Sequence, residues 1–237
     1  MRMLWAVLAL AATPAAALEI TGARYADPTA VYAHGALAGG EYARMDVDLS
    51  DGTRRSISFK KAIFEDTEPR LVDLNGDGSD EIVAVVSGYA TGAWVQVFAL
   101  DDKGRLAPAK SSAPIGQRHR WLSIAGIVDM DGDGVKDVVY VDRPHLAKEL
   151  VVMPLKMGRE GMLVPRLRAS GLTNHHLGAP QIEGGVRVCA DQDPVVVTAN
   201  ADWTQIMETR LEGGALVSTP VGPYHGPDSF TPFLACG

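Results

Sequence analysis

Two short apolar runs, each directly after a loop rich in aspartate and glycine, dominate the hydrophobic pattern of this chain. Residues 81–86 read Glu-Ile-Val-Ala-Val-Val and residues 137–141 read Asp-Val-Val-Tyr-Val; further strand-like segments follow at 93–98 and 150–153. Unbroken runs rich in β-branched residues are typical of strands that are covered on both faces. The segments that follow mix polar and apolar residues, which indicates strands that meet solvent.

The loops before the two runs have the pattern of calcium sites. Residues 73–81 form the first acidic loop and residues 129–137 the second, and each has oxygen-bearing side chains at loop positions 1, 3, 5 and 9 with glycine at positions 4 and 6. Hard oxygen ligands thus converge where the backbone turns sharply. An EF-hand is excluded because loop position 12 is Ala84 or Tyr140 inside a predicted strand, where an EF-hand needs glutamate.

The two loops also define a repeat, because they begin 56 residues apart and similar segments follow each of them. Weaker strand-and-turn copies without an acidic loop flank this pair. We predict an all-β fold: a small β-propeller of about four four-stranded blades, or five if the period shrinks at the ends, with calcium loops in the two central blades. The predicted single domain spans 18–237, with repeats at approximately 20–64, 65–118, 119–174 and 175–222 and a tail at 223–237.

Both loops and their flanking strands resemble the FG-GAP or VCBS repeats of integrin-α type. The resemblance covers roughly residues 65–170 and includes the apolar strand ends at 69–72 and 125–128. It implies β-propeller blades that bind calcium between their first two strands. The segments 140–146 and 171–175 are also similar to a small group of exported bacterial VCBS-repeat proteins. Integrin propellers have seven blades, whereas this chain has room for about four.

Transferred by position, the resemblance implies two Ca²⁺ sites, each with a backbone carbonyl from loop position 7. Without an ion, three or four carboxylates in one small loop repel one another, so calcium is expected to stabilise the fold. An affinity of about 10⁻⁴–10⁻³ M suffices outside the cell. The alternative is a solvated Asp-Gly turn without metal. The implied ligands are Asp73, Asn75, Asp77, Ser79 and Glu81, and Asp129, Asp131, Asp133, Val135 and Asp137.

The first 17 residues predict a secretory signal peptide, since a basic start precedes a short apolar core and small residues. The mature chain is therefore expected to be periplasmic or secreted. No segment reaches the roughly 20 apolar residues of a membrane helix, so we expect no membrane insertion. The chain has 29 acidic and 22 basic residues, a formal charge of −7, which argues against a nucleic-acid partner.

The sequence contains two cysteines, Cys189 and Cys236. Export into an oxidising compartment predicts that they form a disulfide. This bond is expected to stabilise the fold by about 4 kcal/mol on the chain-entropy account. The alternative, a catalytic thiol, needs a nearby base and a basic setting that neither local sequence has.

The repeat register places most of the unusual polar residues at one end of the predicted blades. If the acidic loops join strands 1 and 2, the turns between strands 2 and 3 and the crossings between blades lie at the opposite end, which we name the rim. Binding residues are common on such loops, although these side chains are equally suited to capping turns or bridging blades. The predicted ligand-binding residues are His34, Arg118, His119, Asp142, Arg143, His145, Asn174, His175 and Trp203.

These features favour a non-catalytic exported protein with a binding or scaffold role, whose rim recognises a protein or a glycan. The alternative is a hydrolase or lyase with a histidine–carboxylate site assembled at the rim from His119, Asp142, His145 and His175. The sequence has no Gly-rich phosphate loop, nucleophile elbow or zinc motif. Catalytic residues therefore stay unassigned.

Overall fold

The computed structural model describes residues 17–158 and 160–236, and its architecture is all-β, as predicted. All but Ala17 of the predicted signal peptide lies outside the described residues. The strands are β1 (Ile20–Pro28), β2 (Glu41–Leu49), β3 (Arg54–Ser58), β4 (Ala62–Glu65), β5 (Arg70–Val72), β6 (Glu81–Gly88), β7 (Gly92–Leu100), β8 (Leu106–Ser111), β9 (Leu122–Val128), β10 (Asp137–Asp142), β11 (Glu149–Pro154), β12 (Leu167–Ser170), β13 (Leu172–Thr173), β14 (Gly185–Arg187), β15 (Val195–Asn200), β16 (Gln205–Glu212) and β17 (Ala215–Pro223).

These strands form three antiparallel sheets of eight, four and five strands. The four-stranded sheet is the meander β9 to β12. In the larger sheets one strand is split into two pieces: β4 and β5 both pair with β6, and β13 and β14 both pair with β15. With each split strand counted once, β4 to β8 and β13 to β17 are also four-stranded meanders. The pairing of the described strands closes no barrel or ring, and the number of blades stays a prediction.

The first three strands depart from this pattern. β2 pairs with β1 along its length, with β3 over 44–48 and with β4 only at Glu41 and Tyr42. This last pairing joins the first three strands to the next meander in one eight-stranded sheet. Residues 29–40 between β1 and β2 form a loop.

The acidic loops occupy equivalent places. The first joins β5 to β6 and the second joins β9 to β10. In each loop the ninth residue pairs across the two strands with the residue just before the loop: Glu81 with Val72, and Asp137 with Val128. The repeat seen in the sequence is therefore also a repeat of strand register.

Apolar side chains fill the spaces between successive meanders. β6 and β10 are buried along their whole length, as their unbroken apolar runs predict. Val83 and Val85 of β6 pack with Val138 and Tyr140 of β10 in one cluster. The alternate residues of β6 face Met45 and Val47, and those of β10 face Val196. The fourth strands β8, β12 and β17 are partly exposed, as the mixed polar and apolar sequence of the later strands predicts.

Residues 224–236 cover the free face of the last sheet. A 3-10 turn (Pro227–Phe230) and a short helix α1 (Thr231–Leu234) place Phe230 against Val197 and Ala199. The sequence analysis predicted no helix here; proline in the first turn of each segment favours these short helical turns. The predicted disulfide is confirmed, because Cys189 and Cys236 are bonded with Cα atoms 5.7 Å apart. No helix of the described residues is long and apolar enough to span a membrane.

Candidate functional site: two acidic loops and a rim

Both acidic loops are held in shape by their own carboxylates. In the second loop, Asp129 accepts hydrogen bonds from the amides of Gly132 (2.8 Å) and Gly134 (2.9 Å), and Asp137 accepts one from the amide of Met130 (3.0 Å). Both glycines have positive φ, at 72° and 82°, a conformation that other residues adopt at a cost. The turns at the two glycines therefore point the carboxylates of loop positions 1 and 9 into the loop.

The first loop repeats this geometry. Asp73 accepts from the amides of Gly76 (2.7 Å) and Gly78 (2.9 Å), and Glu81 accepts from the amide of Leu74 (2.9 Å). In both loops the donors are the backbone amides of loop positions 2, 4 and 6. The spacing of aspartate and glycine in the sequence thus determines one local structure twice.

The second loop brings three carboxylates together. Oxygens of Asp129, Asp131 and Asp137 lie within 4.8 Å of one another, and this is the only such acidic group among residues 17–158 and 160–236. They occupy loop positions 1, 3 and 9. In the first loop position 3 is Asn75, which reduces the carboxylates at these positions to two and explains why that loop does not form the same acidic group.

The donor set of the second loop fits a hard divalent cation. All its side-chain donors are oxygens, which suit Ca²⁺. Burial raises the pKa of Asp137, and the nearby charges of Asp131 and Asp133 raise it further. In the first loop burial also raises the pKa of Glu81. A bound cation would offset both the burial and the repulsion. The guanidinium of Arg166 partly does so already, because it pairs with Asp131 and lowers the pKa of that carboxyl.

At the opposite end of the strands, four loops hydrogen-bond to one another and, with the connection 59–61 and the turns 89–91 and 201–204, form the rim. Loop 29–40 contacts loop 174–184, since Gly178 donates its amide to the carbonyl of Ala36 (2.9 Å). It also contacts the crossing 112–121, since the His119 amide donates to the Tyr32 hydroxyl (2.8 Å). The hairpin 143–148 joins this group where the Arg143 amide donates to the Trp121 carbonyl (2.9 Å). The rim is therefore a connected surface.

One polar group of the rim is built on Glu65, which is fully buried. The Nδ1 of His34 lies 2.5 Å from one carboxylate oxygen of Glu65, and the hydroxyl of Ser87 donates to the other. The carboxylate accepts a hydrogen bond from His34, so Nδ1 of His34 carries a hydrogen. The ring of His34 stacks on His119, with centroids 5.1 Å apart and planes 9° from parallel. The rings of His34 and His119 thus lie side by side at the rim.

A second group contains His145 and His175, whose Nε2 and Nδ1 lie 2.9 Å apart. The Nε2 of His175 lies 3.1 Å from the carbonyl of Ala179, so it carries the hydrogen and Nδ1 accepts from His145. Burial lowers the pKa of His145 to about 4 and also lowers the pKa of His175. Both imidazoles are therefore neutral at pH 7. The fully buried Trp121 packs against both rings, 6.2 and 4.9 Å away between centroids.

Asp142 does not contact a histidine. Its carboxylate accepts two hydrogen bonds from Arg143 (2.9 and 2.8 Å), and Arg168 lies 3.9 Å away. His119 instead contacts the backbone of Tyr32. The described contacts therefore divide the residues proposed for a histidine–carboxylate enzyme site among separate groups, and assemble no acid–base pair from them.

Two predicted rim residues lie beneath its surface. Asn174 is fully buried and exchanges hydrogen bonds with Ser123, and His175 is 1% exposed. They support the rim loops from below. Arg118 is exposed, and its guanidinium lies 5.4 Å over the ring of Tyr32 while donating to the Tyr32 carbonyl.

Trp203 lies at the other side of the rim. Its ring stacks on His176, with centroids 3.6 Å apart, and Tyr224 lies 4.9 Å away. Glu183 accepts a hydrogen bond from the Tyr224 hydroxyl (2.8 Å) and lies 2.9 Å from His176 Nδ1. The sequence analysis selected Trp203 but missed Tyr32, Ser87, Glu183 and Tyr224. Nothing in the local sequence indicates these partners, because the tertiary fold brings them in.

Comparison with known proteins adds one finding. The sequence model of a family described as FG-GAP-like repeat matches residues 73–140. The matched segment starts at the first residue of the first acidic loop and ends within β10, so it contains both loops and the strands β6 to β9 between them. No curated protein matches the chain. The chain therefore carries an FG-GAP-like repeat, the repeat that its acidic loops resemble.

Proposed function

We propose that this is an exported, calcium-binding repeat protein of FG-GAP/VCBS type, whose rim binds a protein or a glycan without chemical turnover. The acidic group at Asp129, Asp131 and Asp137 supports the calcium site. The disulfide between Cys189 and Cys236 supports export, since such bonds persist in oxidising compartments. The proposed propeller of about four blades would leave the rim as one of its two ends.

One observation carries the binding role: backbone strain concentrates in the rim. Five of the seven non-glycine residues with positive φ lie in rim loops, and the others are Asp27 and Asp191. Such residues cost on the order of 1–3 kcal/mol each and persist where the surroundings hold them, most often at binding sites. The side chains of Trp203 and Arg143, two of these residues, are partly exposed. The five are Ala33, His119, Arg143, Lys148 and Trp203.

Calcium is expected to act at the other end of the strands, as a stabilising ion. Calcium at 1 mM should raise the free energy of unfolding by about 0.4–1.4 kcal/mol for each occupied site, or about 1–3 kcal/mol for the two sites, given a dissociation constant of about 10⁻⁴–10⁻³ M. Thermal unfolding with calcium or with excess chelator, together with calorimetric titration, measures both quantities. Asp131→Asn should weaken binding about tenfold, because it removes one ligand charge. It also gives the second loop the residue found at this position in the first.

The matched control is Asn75→Asp, which supplies the missing carboxylate in the first loop and should strengthen calcium binding there. Magnesium is a second control, since its smaller octahedral shell suits this loop less well. A melting temperature that is the same in calcium and in chelator, with no heat of binding, would refute the calcium site.

The rim proposal is tested by Trp203→Ala and His34→Ala, assayed against an array of glycans and envelope proteins. Each substitution should weaken binding of the selected ligand about tenfold or more, because aromatic and polar anchors contribute most of the binding energy at such sites. Lys103→Ala, in the hairpin beside the first acidic loop, is the control and should leave binding unchanged. If the control weakens binding and the rim variants do not, the ligand binds elsewhere and the rim proposal fails.

A further inference from the structure

The two ends of the molecule carry opposite charge. The first acidic loop has four acidic residues and no basic one, and the second has four acidic residues and Lys136. At the rim, the connections 59–61, 112–121 and 143–148 contain no acidic residue. They contribute six cations to the surface of a chain whose formal charge is −7. These cations are Lys60, Lys61, Arg118, Arg120, Arg143 and Lys148.

The cationic connections follow one another along the rim. The carbonyl of Lys61 accepts a hydrogen bond from the amide of Tyr89 (3.0 Å). The ring of Tyr89 stacks on Tyr32, 6.2 Å away, and Arg118 lies over the ring of Tyr32. Lys148 continues the series, because its ammonium donates to the carbonyl of Ala201 in the hairpin that carries Trp203. The connections that carry these cations therefore follow one another along the rim in an arc, with the rings of Tyr32 and Tyr89 between two of them.

Most of the positive charge on this arc is not neutralised by the rim itself. Arg143 is paired with Asp142, and Lys148 is engaged with a carbonyl. Lys60, Lys61 and Arg118 are exposed, and the described salt bridges include none of the three. The acidic residues on neighbouring rim loops are Asp202, which is exposed, and Glu183, which is occupied by His176 and Tyr224.

We propose that the ligand of the rim is a linear anionic polysaccharide, bearing carboxylate or sulfate groups. This inference rests on the proposed binding function of the rim and names its ligand class. Ammonium and guanidinium groups form charge-assisted hydrogen bonds with both anions. The rings of Tyr89 and Trp203 offer flat amphipathic surfaces to the sugar units between the charges. An extended arc of spaced cations suits a polymer with regularly spaced anions, and it leaves the acidic end free for its ion.

The test uses three polymers with one backbone: dextran, carboxymethyl dextran and dextran sulfate. The full-length protein should bind one or both charged polymers and not neutral dextran, with an affinity that falls as salt rises from 50 to 300 mM because the contacts are exposed charges. The tighter of the two charged polymers identifies the anion. Lys61→Glu and Arg118→Glu should each weaken binding about tenfold.

The control is Lys103→Glu, which makes the same charge change at the acidic end and should alter affinity by less than about twofold. Circular dichroism and calcium-dependent melting show whether each variant is folded. Equal binding of neutral dextran, absence of binding to both charged polymers, or an equal loss in the control overturns the inference. Tighter binding of poly-L-glutamate or duplex DNA than of either charged dextran overturns it in favour of an acidic protein or a nucleic acid.

The outcome separates this inference from the broader proposal. If Trp203→Ala abolishes binding of a neutral ligand on the array, the rim is a binding surface and only the anionic class is wrong. If neither the charge variants nor Trp203→Ala changes the binding of any ligand, the rim proposal itself fails.

Discussion

Replacing Asp66 with alanine is expected to lower the free energy of unfolding by about 3–5 kcal/mol, the usual cost of leaving a buried charge without its partner. Asp66 is fully buried and pairs with Arg70 through both carboxylate oxygens, at 2.8 and 3.1 Å. It also accepts hydrogen bonds from the hydroxyl of Tyr25 (3.1 Å) and the amide of Val85 (3.0 Å). The substitution removes one anion and leaves the donors of Arg70, Tyr25 and Val85, and also the amide of Thr67, without this acceptor. Urea unfolding at pH 7 measures the loss.

The chain offers a matched control. Asp101 and Arg105 have the same spacing of four residues and a similar contact distance, 2.6 Å, but their side chains are 32% and 70% exposed, against 0% and 16% for Asp66 and Arg70. Asp101→Ala should therefore cost several times less than Asp66→Ala, because solvent screens an exposed ion pair. Equal losses in the two variants would show that burial does not account for the contribution of the Asp66–Arg70 pair to the free energy of unfolding.

Loss of the disulfide is expected to cost about 4 kcal/mol, the chain-entropy value for a bond between residues 47 positions apart. The double substitution Cys189→Ser with Cys236→Ser measures it without a reductant. The physical reason is that the bond restricts the unfolded chain and holds the tail on the last sheet. Chemical unfolding of the variant, compared with that of the oxidised protein, gives the difference.

This prediction also has a local part. Without the bond, residues 224–236 are held mainly by Phe230, Phe233 and Leu234 against the last sheet, so they should detach before the rest unfolds. Limited proteolysis should cleave the tail of the variant under conditions where the hairpin 213–214 of the same sheet stays intact. Cleavage of both regions at the same rate would show that the bond stabilises the whole fold and not the tail alone.

Much of the architecture could be predicted from the sequence because it depends on local patterns. The runs at 81–86 and 137–141 are apolar without interruption, and they became the fully buried strands β6 and β10. The split of β4 from β5 could not be predicted. It arises around Asp66, whose buried contacts with Tyr25 and Val85 come from strands far along the chain.

The candidate site divides in the same way. The acidic loops were predictable because the hydrogen bonds that shape them join residues at most seven positions apart, and the spacing of aspartate and glycine specifies the turns. The rim partners were not. Tyr32 meets His119 across 87 positions, and Glu65 meets His34 across 31, so no local pattern shows either contact. A histidine can be selected as a candidate from the sequence alone, whereas the buried carboxylate of Glu65 that orients His34 cannot.

The internal hydrogen bonds of the acidic loops bear on how such repeats change over time. The carboxylate at position 9 accepts from the amide at position 2, and that at position 1 accepts from positions 4 and 6, in both loops. The turn is thus closed by the chain itself, with the strands already in register at each side. A copy with one carboxylate fewer, as in the first loop with Asn75 at position 3, keeps the same shape. Two copies can therefore differ in ion affinity and still share the same loop structure and strand register.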